Sequence, residues 1–280
     1  MFTAMTSFRT RIAGLALFVP AILIVSVLFV YPFLQSFIGS FRVKNSWGLK
    51  NYLDMLDLYK GDLLYTLVIS LASLLILLSF AIILGGFLRL KQNAFLEFLF
   101  KVPLFIPFVV VGHAMRVFLA PHGTLNAILS LIGLVDLQHP PSIAFSGTGI
   151  VIALTWKNLS FALLLMMGAF RSIDDSYIEA SYNLGGKSLR TIFFVLMPMA
   201  KGSIAVSAVL IFTSMIGSFS IPIMLGSGSG PQMVMVDLYY QIVYQNNYGL
   251  ANALGVISYL MSMGAAIYYL KMVTTNEIKN

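Results

Sequence analysis

The sequence predicts an all-α, polytopic membrane protein with six transmembrane helices in a single domain, residues 1–280. Three observations predict it. The 280 residues are 59% hydrophobic and only 10% charged, with a mean hydropathy of +0.92, whereas soluble domains carry about 25% charged residues. The apolar residues fall into six runs long enough to cross a bilayer, which takes about 20 residues each. Eleven of the 17 Lys and Arg residues fall in alternate connecting segments, as cytoplasmic loops require.

Taken in order, Met1 to Arg11 hold two Arg and no acid, which places them in the cytoplasm. Span one covers Ile12 to Ile38. It is too long for a signal peptide and lacks a small-residue cleavage site at its end. Gly39 to Asp62 is polar, and within it Leu49 to Leu58 has the pattern of a short amphipathic helix lying on the outer surface. Span two covers Leu63 to Leu88. Arg89, Lys91 and Lys101 mark an inner loop. Span three covers Phe98 to Leu119, with Pro103 and Pro107 near its start. Pro121 to Ser146 is an outer loop without Lys or Arg. Span four covers Gly147 to Phe170, and span five Ala200 to Ile221. Gly226 to Tyr248 is an outer segment containing a short apolar piece, Met233 to Val243. Span six covers Leu250 to Met272.

With this layout eleven basic residues face inward (Arg9, Arg11, Arg89, Lys91, Lys101, Arg171, Lys187, Arg190, Lys201, Lys271 and Lys279). Four face outward (Arg42, Lys44, Lys50 and Lys60). Both termini are therefore expected in the cytoplasm of a multi-pass cell-membrane protein. The net charge of +7 follows from these loops and does not call for a nucleic-acid partner. There are no cysteines, which excludes disulfide and thiol chemistry, and no residue cluster has metal-ligand spacing.

Asp174 to Lys201 differs from everything around it, having helical patterning with a polar surface. Asp174 and Asp175 suit a helix N-terminus, and Glu179 adds charge where the helix dipole favours it. Gly185-Gly186 ends the helix, since glycine takes the left-handed C-cap conformation readily. Ser188 is placed to cap a second helix running toward Pro198. Gly186-Lys187-Ser188 imitates the end of a phosphate-binding loop. However, Ser181 stands where that loop needs its first Gly, and no strand precedes it. The chain thus offers no nucleotide site and no catalytic residue.

Glu179-Ala180-Ser181, Gly185 six positions after the Glu, and Val195-Leu196-Met197-Pro198 resemble the EAA loop of permease subunits in binding-protein-dependent ABC importers. Ser181 and Met197 depart conservatively from that pattern. Gly48-Leu49-Lys50-Asn51-Tyr52 resembles the family's opening before span two. Ser218 to Pro222 with Leu225-Gly226, and Asn247-Tyr248-Gly249 with Ala251 and Ala253, resemble its polyamine-type branch, with Ser227 replacing a Gly. That branch includes iron and phosphonate permeases. The resemblance implies a type I importer permease fold and no cofactor in this chain, with ATP and Mg on a partner. The partners it implies are an ATPase subunit dimer, a second permease chain and an external solute-binding protein. It also implies that residues 174–190 form the cytoplasmic coupling region, with Asp175, Tyr177, Ile178, Glu179, Ala180, Ser181, Leu184, Gly185 and Gly186 meeting the ATPase.

Two polar patches inside spans are candidates for the translocation path. Lys157, about ten residues and roughly 15 Å into span four, sits with Trp156 and Asn158. His113 and Arg116 lie toward the outer end of span three. A charge at mid-bilayer faces a cavity or a partner. Lys157 either lines a cavity that attracts an anion or pairs with a neighbouring helix's acid or carbonyls. Arg116 either lines that cavity or snorkels to the headgroups. The cavity reading favours a small anion or zwitterion, such as a phosphonate or organophosphate. The branch resemblance favours a polyamine. A secondary transporter would need deep acids that the spans lack, and an intramembrane enzyme would need a nucleophile near His113.

Overall fold

The computed structural model describes residues 18–44, 46–226 and 230–277. Arg9, Arg11, Ser227, Lys279 and the start of span one at Ile12 lie outside the described residues. Four helices are long and apolar enough to cross a membrane: α1 (Phe18–Ser40), α2 (Lys50–Lys91), α6 (Gly147–Arg171) and the stretch Tyr248–Ile267 of α12 (Tyr248–Glu277). The number rises to six when two bent pairs count as one span each. These are Ala94–Phe105 with Phe108–Phe118, bent by 104°, and Ser188–Met199 with Lys201–Ile216, bent by 80°. The intervening elements are α3 (Ala94–Lys101), α4 (Phe108–Phe118), α5 (Thr124–Leu131), α7 (Asp175–Asn183), α8 (Ser188–Met199), α9 (Lys201–Ile216), α10 (Ser220–Leu225) and α11 (Val234–Val243).

The chain divides into two compact units, Met1–Leu58 with Leu238–Ile257, and Tyr59–Asp237 with Ser258–Asn280. In the first, α1 leads into a two-stranded hairpin, β1 (Arg42–Val43) and β2 (Ser46–Trp47), with Arg42 opposite Trp47. Polar side chains close the turn. Asn51 Nδ2 donates to the carbonyls of Ser40 (2.8 Å) and Arg42 (3.0 Å), and the Ser40 and Tyr52 hydroxyls meet at 2.7 Å. Gly249 lies against the same amide, where a Cβ would fall 2.7 Å from Asn51 Nδ2. The Asn51-Tyr52 and Tyr248-Gly249 motifs are thus two halves of one contact.

The second unit holds a continuous apolar core. Leu77 and Ala81 of α2, Leu154, Met166 and Phe170 of α6, Ile192 and Leu196 of α8, and Ile211 and Met215 of α9 are all fully enclosed. Around it α9 packs on α6, α10 on α4, and α3 on α6.

Three expectations change. The amphipathic piece Leu49 to Leu58 is no separate surface helix, because α2 runs unbroken for 42 residues. Nothing in Tyr59 to Leu63 breaks a helix except Gly61, whose cost of about 1 kcal/mol is easily overcome. Span three is broken, not straight. Ile106 (ψ 124°) and Pro107 (ψ 146°) are extended, since proline forces its predecessor out of the helical region. Span five begins in α8, bends at Ala200, and ends at Ile216, with Gly217 and the separate helix α10 following it. Both π-helical stretches, Ser26–Val30 and Ile192–Leu196, stop two residues before a proline (Pro32 and Pro198). A proline cannot donate to the carbonyl four residues back and its ring crowds it, so the preceding turn widens.

Candidate functional site

The stretch Asp174 to Lys201 builds itself from local hydrogen bonds. Asp174 is extended (ψ 140°), and its Oδ1 accepts the Ser176 N–H at 2.8 Å, which caps α7. Those bonds from Ser176 hold the Asp174 carboxyl below its usual range. At the other end Gly185 takes φ +79°. The Gly185 N–H donates to the Tyr182 carbonyl (2.9 Å) and the Gly186 N–H to the Ser181 carbonyl (2.8 Å), the paired bonds of a Schellman cap. A Cβ on Gly186 would fall 2.5 Å from Ser181 Oγ. That hydroxyl meets Thr191 Oγ1 at 2.9 Å, which fixes α7 to α8. Ser188 caps nothing; the N-cap position belongs to Lys187, without a side-chain bond.

A helix of nine residues, α7 buries one side chain, Ile178. Tyr177, Glu179, Ala180, Tyr182 and Leu184 are exposed, and Leu184 is 86% exposed. Tyr177, Tyr182 and Leu184 thus leave apolar surface uncovered on a short, firmly capped helix.

What ties this surface to the spans is Arg89. Its Nε donates to the Phe170 carbonyl (3.0 Å), and one terminal nitrogen donates to the Ile173 carbonyl (3.0 Å) and to Asp175 Oδ1 (2.5 Å). One planar guanidinium therefore joins the end of α2, the end of α6 and the start of α7. Beside it Glu97 of α3 accepts from Lys101 (2.5 Å) and Arg171 (2.7 Å). Arg89, Gln92, Glu97, Arg171 and Asp175 line a cleft of about 410 Å³. Sequence reasoning missed Arg89 and Glu97 as parts of the site. Arg89 read only as a charge marking an inner loop, and nothing local pairs it with a residue 86 positions away.

In the Lys157 patch the ammonium turns to backbone carbonyls. Lys157 is 6% exposed. Its Nζ donates to the carbonyls of Pro103 (2.8 Å) and Ile106 (2.5 Å), with Leu104 at 3.4 Å, and lies 4.8 Å from the Phe108 ring centroid. One turn on, Ser160 donates to the Phe100 carbonyl at 2.7 Å. Pro107 has no N–H to give the Pro103 carbonyl four residues back, which keeps one bond from the Ile106 N–H at 3.3 Å, and the ammonium has three donors to supply. It also sits where the dipole of α3 is negative. Of the two readings open from sequence, this geometry is that of carbonyls on a neighbouring helix. Asn158 donates back to Leu154 (2.8 Å), and Trp156 is 37% exposed. His113 and Arg116 do line a cleft of about 510 Å³ with His122 and Phe145, and the Arg116 guanidinium stands 5.2 Å over the Phe145 ring.

The chain was then compared with known proteins. Residues 78–272 match the family described as "Binding-protein-dependent transport system inner membrane component". The chain belongs to this family. It is 25% identical to the sulfoquinovosyl glycerol transport system permease protein SmoG of Agrobacterium fabrum, over 95% of this chain and 92% of that one. It is 27% identical to the spermidine/putrescine transport system permease protein PotB of Escherichia coli, over 76% of each. Among solved structures it resembles a chain of the bacterial alginate ABC transporter crystallised with an alginate pentasaccharide-bound periplasmic protein. The TM-score is 0.80 at 18% identity, covering 95% of this chain and 96% of that one. The protein is a multi-pass permease subunit of an ABC importer of the binding-protein-dependent type, with the type I permease fold.

Proposed function

We propose that this permease forms the translocation path with a second permease chain and takes its driving force from a separate ATPase dimer through α7 and the Gly185-Gly186 turn. Both termini and this turn lie in the cytoplasm, and solute arrives on an external binding protein. The chain itself is non-catalytic; ATP and Mg belong to the partner. The observation that carries the reading is the Arg89 clamp. A partner that displaces the exposed Tyr177, Glu179 and Leu184 face moves a capped, stiff helix. Arg89 then passes that displacement to the ends of α2 and α6 together.

The argument for an anionic solute started from Lys157. With its donors on the carbonyls of Pro103 and Ile106, that argument falls away, and no phosphonate appears in the names of the relatives above. Those names give a sulfoquinovosyl glycerol and the polyamines spermidine and putrescine. The reading that remains is a polar organic solute selected by the external binding protein.

Glu179→Lys tests the coupling role. Expected is normal membrane insertion with loss of ATPase copurification and of uptake. Wild-type uptake by this variant removes the coupling assignment.

A further inference from the structure

One cleft in the second unit has no part in the coupling reading. It holds about 510 Å³ and is lined by His113 and Arg116 of α4 together with His122, Thr124 and Phe145, a size usual for a small-molecule site. Hydrogen bonds to the backbone build its walls. Asn126 is fully buried, and its Nδ2 donates to the carbonyls of Ala120 (3.2 Å), Pro121 (2.9 Å) and Pro141 (3.0 Å). That one amide ties the loop after α4 to the segment before α6. The Ala144 N–H donates to the Leu119 carbonyl at 3.1 Å, which sets Phe145 beside the last turn of α4. Gly123 closes the loop, and a Cβ there would run into the Val117 carbonyl.

Three nitrogen-bearing side chains share this cleft, and among the described residues no acid lines it. His113 and Arg116, three positions apart, lie on one face of α4. The Arg116 guanidinium stands 5.2 Å over the Phe145 ring centroid. A ring face attracts the cation through its quadrupole and leaves the N–H groups unspent. Among the described residues Arg116 has no ion pair. Its planar fork of donors therefore remains open to a ligand, and that fork matches paired oxygens. Each imidazole adds an N–H donor. Val117, Ala120 and Pro121 make the rest of the lining apolar, and a charge pair is stronger beside such walls than in open water.

We propose that this cleft is an oxyanion site. Arg116 holds a carboxylate, sulfonate or phosphate group by charge and by N–H donation, and His113 and His122 donate to its remaining oxygens. A small organic acid and a lipid headgroup both offer that chemistry, and the test below separates them. The site is independent of Lys157, whose ammonium is spent on carbonyls. It is also independent of the ATPase, because its occupancy is measured without nucleotide.

The chain has three histidines, and they supply the readout. His139 is exposed and lies outside the cleft, so it serves as the internal reference. The assembled transporter, in dodecyl maltoside, is treated with diethylpyrocarbonate at constant pH and ionic strength. Modification of each histidine is followed by mass spectrometry. Sodium glucuronate and sodium sulfate are the probes; glucose and sodium chloride are the controls. Either anion is expected to slow modification of His113 and His122 by roughly fivefold at about four times its Kd. His139 should be unaffected, and glucose should protect nothing. Arg116→Gln is expected to abolish the protection while its His139 rate and unfolding midpoint match the parent. Should Arg116→Gln not assemble, Arg116→Lys carries the test, since it keeps the charge and loses the fork; its protection should be weaker. If neither soluble anion protects but added phosphatidylglycerol does, in the parent and not in the variant, the headgroup is the occupant. Absence of protection by every anion overturns the site, as does equal protection by glucose or protection that survives Arg116→Gln. A transporter that fails to couple to its ATPase would still give these outcomes, so the two readings fail separately.

Discussion

Replacing Lys157 by methionine separates a structural ammonium from a solute-binding one. Methionine keeps the apolar stem that packs in α6 and removes only the charged head. Two short bonds are lost, to Pro103 (2.8 Å) and Ile106 (2.5 Å); the Leu104 contact at 3.4 Å adds little. Hydrogen bonds to a charged group contribute about 1.5–3 kcal/mol each, so the loss is about 3–6 kcal/mol. Against it stands the cost of burying an ammonium, which the variant no longer carries. The net destabilisation expected is about 2–4 kcal/mol, or about 5–10 °C in unfolding midpoint for a chain of this size. The carbonyls beside Pro107 should also open, which limited proteolysis between Lys101 and Phe108 detects. Ser160→Ala is the companion. It removes one bond to Phe100 and should cost about 1 kcal/mol. If Lys157→Met unfolds within about 1 °C of the parent but loses uptake, the ammonium acts on solute and the carbonyl role is refuted.

Three further outcomes are expected. Arg89→Met removes the bonds to Phe170, Ile173 and Asp175; the ATPase should still bind while ATP-driven uptake falls at least tenfold, measured in proteoliposomes. Gly185→Val forces a β-branched residue to φ +79°, at a cost of about 1–2 kcal/mol, and should weaken ATPase binding in a pull-down titration. Asn51→Leu leaves the Ser40 and Arg42 carbonyls without their amide donor and should lower stability by about 1–3 kcal/mol in thermal unfolding.

Much of the stretch around α7 was legible because its determinants are local. Asp174 caps α7, and Gly185 supplies the left-handed residue after it, as the order of residue types implies. Ser188 misled because Lys187 takes the cap position one residue earlier. Lys157 stood out as a charge inside a span, but which of its two readings, cavity or carbonyls, was not legible. A backbone carbonyl carries no sequence signature, and only the break at Pro107 made those carbonyls available.

From sequence alone came the all-α membrane class, the order of the apolar runs and the capped turn at Gly185-Gly186. Composition and nearest-neighbour stereochemistry suffice for these, because bilayer thickness and backbone dihedrals act on each segment separately. Pro107 breaks span three locally, but tertiary packing alone decided that α2 continues through its polar start. It also decided that Arg89 meets Asp175 and that Lys157 answers the carbonyls exposed by the bend. These depend on which distant polar groups are buried side by side, where each must find a partner, and burial is a property of the folded whole.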